Sequence, residues 1–329
     1  MRTPNKENSA PLPGVWQTIA AGFDLTSKHL WLAVLPIILD CFLWLGPRLS
    51  GRPIIEGLAS MIPSDPAVGD LSGQLLALAP RTNLFTSLSV PLVGLPALMV
   101  GATPEKTPFT PRIVELNSAA LWLGLYVIFS LVGVLLTAVY FTLIAREVGR
   151  AGGSTALTAP ALLSRMGHLW LQFLVLGMLF IILGFIIYLP LLPISLILFL
   201  VSSALGLLAL FMGPVLLLWV TIYLFFAPHG MALHGRSLYQ AALESVQIVR
   251  GQFIPALGLL LAVFIIRNLL ASILLLADDG SWLTLASILG YAFVTTSLVT
   301  ATFIFYRDRY LALFVQGPHP AHPTLEQTS

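Results

Sequence analysis

The sequence predicts an all-α integral membrane protein with six transmembrane helices. Only 9% of its 329 residues are charged and 57% are hydrophobic, and the mean hydropathy is +0.93. So few charges do not cover the surface of a soluble domain of this length. Six apolar stretches each supply the roughly 20 residues of a membrane-spanning helix, which satisfies its backbone hydrogen bonds without water. The expected spans cover about residues 29–46, 118–144, 162–189, 194–227, 253–277 and 282–306.

The chain starts with a tail and a short surface helix, residues 1–28. Trp16, Ile19 and Phe23 recur at helical spacing within residues 14–28, which predicts an amphipathic helix lying on the membrane surface. The first apolar run begins too late for a signal peptide, so we expect the N-terminus to be retained.

Prolines set the expected boundaries of the middle spans. Pro190 and Pro193 predict a turn at the end of the third span, because proline does not continue a helix cleanly. The fourth stretch would make about 51 Å of helix, so we interpret it as one tilted span kinked near Gly213 and Pro214. The short acidic turn ADDGS joins the fifth and sixth spans, which makes them a hairpin.

Residues 47–117 form a proline-rich extracytoplasmic insertion between the first two spans. Residues 82–104 carry no charge, yet Pro91 and Pro96 interrupt them too often for a span. We expect this part to be re-entrant or to form an interfacial cap over the bundle. It then either seals helix ends or provides a ligand or partner site.

Positive charges orient the bundle. With six spans, eight basic residues fall on one side: Lys28, Arg146, Arg150, Arg165, Arg236, Arg250, Arg307 and Arg309. The positive-inside rule makes that side cytoplasmic and places both termini there, in a bacterial inner membrane. The insertion also carries basic residues, but long translocated segments are largely exempt from this rule.

The proline-rich tail, residues 311–329, is expected to be disordered.

Three segments that precede spans look alike. Each places a serine and then a basic residue before an apolar helix: LTSKHLWLAVLPII (25–38), LLSRMGHLWLQFLVL (162–176) and LESVQIVRGQFIPALGLLL (243–261). Either the chain has three hairpin repeats, each preceded by a short amphipathic helix, or basic and aromatic residues mark the cytoplasmic start of any span.

The third of these segments carries a family resemblance. Its Ser-Leu-x-x-Ala-x-x-x-Ser pattern over residues 237–245, followed by Arg250, Gly251 and a new span, resembles a group of bacterial six-span membrane proteins. The group includes the membrane domain found beside glycerophosphodiester phosphodiesterases and the YciC-like inner-membrane family. The resemblance implies a six-span fold in which the membrane domain is not the catalytic part.

Two ionisable residues fall inside expected spans. Asp40 lies in the first span and Arg267 in the fifth, and charges at membrane depth are rare and usually paired or functional. Helical rise places them about 16 and 21 Å from the cytoplasmic starts of two parallel helices. We expect an intramembrane ion pair that locks the helices together, with Asn268 adding a hydrogen bond; the alternative is a gated polar pathway.

Other polar residues give weaker signals. The hydroxyl-rich sixth span predicts close helix packing, with a polar cavity around Arg267 as the alternative. His229 and His234 are expected at the cytoplasmic surface and lack the spacing of a metal site. Glu244 is expected on a solvated helix face, and the single Cys41 forms no intrachain disulfide.

The sequence favours a non-catalytic protein. It contains no nucleophile-elbow, zinc-protease, nucleotide or dinucleotide motif, and we expect neither a cofactor nor a metal. It also lacks the dense basic stripe of nucleic-acid binding. We expect membrane lipids as partners, with a protein partner or a homo-oligomer as further options, and a structural, assembly or lipid-organising role. The alternative is a small permease or lipid carrier with a polar route around Asp40 and Arg267.

Overall fold

The computed structural model describes residues 12–62, 71–89, 94–100, 103, 107–153, 158–276 and 280–315. The α-helices are α1 (Val15–Lys28), α2 (Val34–Leu45), α3 (Arg52–Ser60), α4 (Leu71–Leu78), α5 (Ala119–Ala151), α6 (Ala159–Val201), α7 (Ser203–Leu224), α8 (Ala227–His234), α9 (Leu238–Gly251), α10 (Phe253–Leu274) and α11 (Leu283–Tyr310). Two short strands are β1 (Arg48–Ser50) and β2 (Ile113–Glu115). Single 3₁₀ or π turns cover Leu30–Ala33, Ala79–Arg81, Leu84–Leu88 and Leu311–Val315.

Five of the described helical units are long and apolar enough to cross a membrane. They are α5, α6, α7 continued through α8, α10, and α11 extended to Val315. A sixth crossing exists only if the helices at Val15–Lys28 and Leu30–Leu45 count as one broken span, because the chain bends by 96° between them. All-α architecture is therefore confirmed, while the six-span count stays a prediction.

The first expected span differs most from its prediction. Residues 29–46 hold a 3₁₀ turn and the 12-residue α2, in place of one straight helix. By itself α2 is about 18 Å long, little more than half of the hydrocarbon thickness. His29, whose backbone is not helical (φ −134°, ψ 55°), interrupts the helix between α1 and this turn.

The helix expected over residues 14–28 is present as α1, and it packs closely on α11. Its buried face contains Ile19, Gly22 and Thr26, whereas Trp16 on the other face is exposed. A Cβ atom at Gly22 would lie 2.5 Å from the carbonyl oxygen of Ser297, so this contact requires glycine. One face of α1 therefore belongs to the helix bundle.

The turn expected at Pro190 and Pro193 is not formed. Helix α6 runs through both prolines and has 43 residues, about 64 Å of helix. The chain turns at Ser202, whose extended backbone (φ −163°, ψ 134°) separates α6 from α7. A proline inside the helix removes one hydrogen bond, whereas ending the helix in an apolar stretch would leave several backbone groups without partners.

Helices α6 and α7 form an antiparallel hairpin around that turn. A Cβ atom at Gly206 would overlap the ring of Phe199, and one at Gly213 would overlap the ring of Tyr188. Helix α7 is continuous past Gly213 and Pro214 to Leu224. The fourth apolar helix therefore starts at Ser203, and the residues before it belong to α6.

The other expected spans match helices more closely. Helix α5 starts as expected after Ser118, whose side chain accepts a hydrogen bond from the Leu121 N–H, and continues to Ala151. Helices α10 and α11 occupy the positions of the expected final hairpin. Most of the acidic turn between them, and the tail beyond Val315, lie outside the described residues.

A pair of strands joins the two ends of the insertion, and part of the insertion packs among the helices of the bundle. Strands β1 and β2 pair in parallel, with Arg48 opposite Ile113, and so join its two ends. We call residues 83–89 and 94–100 the re-entering segment; its 3₁₀ turn, Leu84–Leu88, contacts α5, and Leu95, Leu98 and Met99 are buried in the core. A Cβ atom at Gly133 would lie 2.5 Å from the Leu88 carbonyl oxygen, and Gly133 is about 21 Å along α5 from Ala119. The segment therefore lies deep among the helices.

Several basic residues meet at one end of the bundle, which we call the basic end. Arg307 of α11 donates to the Val148 carbonyl near the end of α5. Arg309 donates to the Pro13 carbonyl just before α1. The start of α1 and the ends of α5 and α11 are thus together, as the charge pattern predicts; the side of the membrane on which they lie stays a prediction.

The contact between α1 and α11 provides a test of this packing. Replacing Gly22 by Val should lower the free energy of unfolding by about 2 kcal/mol, because the added methyl groups overlap the α11 backbone. Replacing Ala21, which is exposed on the same helix, by Val should leave stability within about 0.5 kcal/mol. Thermal melting in detergent measures both changes, and equal melting temperatures for the two variants would contradict the packing of α1.

Candidate functional site

Asp40 is fully buried and holds the re-entering segment. Its two carboxyl oxygens accept hydrogen bonds from the backbone N–H groups of Leu98 and Met99, both at 2.8 Å. Leu98 and Met99 are themselves buried among apolar side chains of the bundle. Irregular backbone at this depth needs partners for its N–H groups, because an unsatisfied buried donor is costly. Asp40 therefore serves the fold of the segment.

The expected ion pair between Asp40 and Arg267 is not formed in the described part of the chain. Arg267 donates through Nε to the hydroxyl of Tyr291 at 3.1 Å, and its side chain is exposed. Asn268 is also exposed, and its amide donates to the Phe264 carbonyl one turn earlier in α10. Asp40 has the Leu98 and Met99 N–H groups as partners in place of Arg267.

A small cavity lies beside Arg267. It has a volume of about 140 Å³, and its wall includes Thr221, His229, Arg267 and Thr302 together with the backbone at Gly94. Helices α7, α8, α10 and α11 and the re-entering segment therefore all contribute to it. The wall is mostly apolar, however, since these four side chains are the polar ones among the fourteen described residues that line it.

A larger apolar groove lies between α5 and α6. Its volume is about 750 Å³, within the range of small-molecule sites. Its wall runs from Tyr126 to Thr137 on α5, about 16 Å of helix, and from Phe173 to Ile181 on α6. Gly177 lines the groove, and a Cβ atom there would meet no atom within 4 Å.

The groove and the cavity are neighbours. Leu176 and Phe180 of α6 line both of them, so these two side chains lie between the two spaces. One space is almost wholly apolar, while the other contains a guanidinium group, an imidazole and two hydroxyls. Together they offer an apolar groove and a mainly apolar cavity with one guanidinium group, next to the same stretch of α6.

The expectation that His229 lies at the surface is wrong. His229 is only 3% exposed, and its Nε2 lies 2.8 Å from the Thr302 hydroxyl. The Thr302 hydroxyl donates to the Val299 carbonyl, so it accepts the hydrogen bond from His229. His234 is exposed, as expected, and stacks on the ring of Tyr310 at 4.1 Å. Within the described ranges no three histidine, cysteine, aspartate or glutamate side chains form a group that could hold a metal ion.

Glu244 is likewise not on a solvated face. Its carboxylate accepts a hydrogen bond from the Tyr306 hydroxyl at 2.9 Å and pairs with Arg236 at 3.0 Å. A hydrogen bond to Tyr310 and the charge of Glu244 raise the pKa of Arg236, which therefore stays charged. These contacts attach α9 to the end of α11.

Glu147 is a buried charge that sequence reasoning missed. Its side chain is 5% exposed, and basic groups lie at 3.0 Å (Arg150), 3.4 Å (His29) and 3.7 Å (Arg146). A buried carboxylate is stable only with such compensation. The signal in the sequence was a single acid between two arginines at the end of a long apolar run. The cluster joins the interruption before α2 to the end of α5, at the basic end.

Comparisons with protein-family models, with curated proteins and with solved structures give no match for this chain. The functional argument therefore rests on the geometry of the groove, the cavity and the re-entering segment.

The two charged residues are expected to differ in their effect on stability. Replacing Asp40 by Asn should lower the free energy of unfolding by about 3 kcal/mol, because the amide N–H₂ then faces a buried backbone N–H. Replacing Arg267 by Gln should cost about 1 kcal/mol or less, because one partly exposed hydrogen bond is lost. Thermal melting in detergent separates the two cases. If both single variants and the double variant were destabilised equally, the residues would form a pair after all.

Proposed function

We propose that this chain is a non-catalytic multi-pass membrane protein that binds and organises membrane lipid. The observation that carries the proposal is the groove between α5 and α6, because its size and apolar wall suit a lipid acyl chain. The groove lies between two helices that are each long enough to cross a bilayer, so lipid chains have direct access to it. No reaction is needed to explain this arrangement.

The topology, location and repeat structure that we propose come from the sequence. We propose a six-span topology with α1 and α2 as the broken first span, both termini in the cytoplasm and a bacterial inner membrane as the location. The resemblance to the YciC-like proteins and to the phosphodiesterase-associated membrane domain supports a non-catalytic role. The three-hairpin repeat belongs to the same proposal.

A role as a lipid carrier is the second candidate. It is favoured by the position of Arg267, which lines a cavity and is not closed off in an ion pair with Asp40. An open polar group at this depth is what a polar route for a lipid headgroup would need. The two candidates share the same groove and differ only in whether the bound lipid moves between leaflets.

Filling the groove tests the proposed lipid binding. Replacing Gly177 by Phe puts a ring into the groove without meeting the backbone, and the lost apolar contacts should lower the affinity for lipid about tenfold or more. The measurement is native mass spectrometry of the protein released from lipid nanodiscs, counting the lipids that stay bound.

Gly167→Phe is the matched control for this experiment. It makes the same change on the same helix, its Cβ atom would also meet no atom within 4 Å, and Gly167 does not line the groove. Lipid retention should be that of the wild-type chain. Equal retention by Gly177→Phe and Gly167→Phe would rule out the groove as the lipid site.

The carrier role has its own test. Proteoliposomes with a fluorescent phospholipid in one leaflet should show faster transfer to the other leaflet than protein-free vesicles, and Gly177→Phe should abolish the increase. A rate equal to that of protein-free vesicles would reject the carrier and leave lipid binding in place.

A further inference from the structure

We propose that the cavity beside Arg267 binds the oxyanion headgroup, a phosphodiester or a carboxylate, of the amphiphile whose acyl chain occupies the groove between α5 and α6. This inference rests on the proposed function and adds the chemical class of the ligand. It requires that Arg267 be available, that the cavity adjoin the groove, and that its wall suit an anion.

Arg267 is available because most of its donors are free. In the described part of the chain, its guanidinium makes one hydrogen bond, from Nε to Tyr291, and no ion pair. The terminal N–H₂ groups therefore keep the planar fork that matches two oxygens of a phosphate or a carboxylate. A cation at membrane depth without an acidic partner calls for an anion from outside the protein.

Tyr291 holds the guanidinium at the level of the cavity. Arg267 lies about 10 Å from the end of α10 at Leu274, and Tyr291 lies about 12 Å from the start of α11 at Leu283. The two residues are thus at similar depth, and Tyr291 is buried, so it is a fixed partner. The hydrogen bond orients Nε toward α11 and makes Tyr291 a positioning residue for Arg267.

The position of the cavity fits a headgroup attached to a chain in the groove. Leu176 and Phe180 line both spaces, so the two are adjacent, and the proposal places one molecule in both, with its chain passing these two side chains. A cavity of about 140 Å³ has room for one oxyanion group, given that a water molecule takes up about 30 Å³.

The remaining polar groups of the wall do not compete with an anion. Asp40, the nearest acid in the expected spans, is already bonded to backbone N–H groups and does not line the cavity. Thr221 and Thr302 donate to carbonyls of their own helices, and His229 donates to Thr302. Among the described residues that line the cavity, Arg267 is the only one with a cationic side chain.

The test measures headgroup selectivity. The wild-type chain is placed in nanodiscs with equal amounts of dioleoylphosphatidylglycerol and dioleoylglycerol, which has the same acyl chains but no phosphodiester, and in a second arm with added oleate; bound molecules are counted by native mass spectrometry. We expect the wild-type chain to retain phosphatidylglycerol or oleate about tenfold more than dioleoylglycerol, and Arg267→Gln to lose this preference. The arm that shows the preference identifies a phosphodiester or a carboxylate as the ligand.

Arg250→Gln is the matched control, because it removes one exposed positive charge from the neighbouring helix α9 and should keep the preference. Arg267→Lys, which keeps the charge but not the fork, is a second variant and should show a reduced preference. No preference in the wild-type chain, or an unchanged preference in Arg267→Gln, would overturn the headgroup site and leave the groove standing. Unchanged lipid retention in Gly177→Phe would instead remove the groove and this inference with it.

Discussion

The two hydrogen bonds that Asp40 accepts from Leu98 and Met99 are the interaction on which the interior of this protein depends. An apolar helix bundle tolerates irregular backbone only where other parts of the protein satisfy it. Asp40 does so for the re-entering segment, and Gly133 allows that segment to lie against α5. The segment in turn places Gly94 and Pro96 in the wall of the cavity beside Arg267. Part of the cavity wall beside Arg267 is thus built from a segment that a buried acid holds through its backbone.

Ion pairs and single charged side chains lie in different parts of the bundle. Buried or half-buried ion pairs are concentrated at the basic end, where Glu147 and Glu244 tie α1, α5, α9 and α11 together. Further inside, Asp40 is satisfied by backbone, and Arg267 is left with one hydroxyl partner. Arg267 differs from these groups because its exposed guanidinium lies beside a cavity and its one hydrogen bond goes to a hydroxyl. That contrast is the reason to assign Arg267 a ligand and not a purely structural role.

Hydropathy alone predicted the all-α fold, the helices α5, α10 and α11, and the helix at α1, because long apolar runs and helical spacing are local properties. It did not predict that α6 passes through Pro190 and Pro193 or that the turn lies at Ser202, since the ring contacts at Gly206 and Gly213 depend on the partner helix.

The sequence also singled out Asp40 and Arg267 correctly as unusual. It paired them wrongly because the backbone N–H groups that bind Asp40 come from residues 58 and 59 positions away. The groove has no local signature at all, because it arises from the separation of two helices.

An electron cryo-microscopy map of the protein in nanodiscs of its native lipids tests this account most directly. The account predicts elongated density between α5 and α6, beginning near Gly177 and continuing past Phe180 to a compact feature within hydrogen-bond distance of the Arg267 guanidinium. A groove closed by protein side chains, or an Arg267 side chain paired with Asp40, would contradict it.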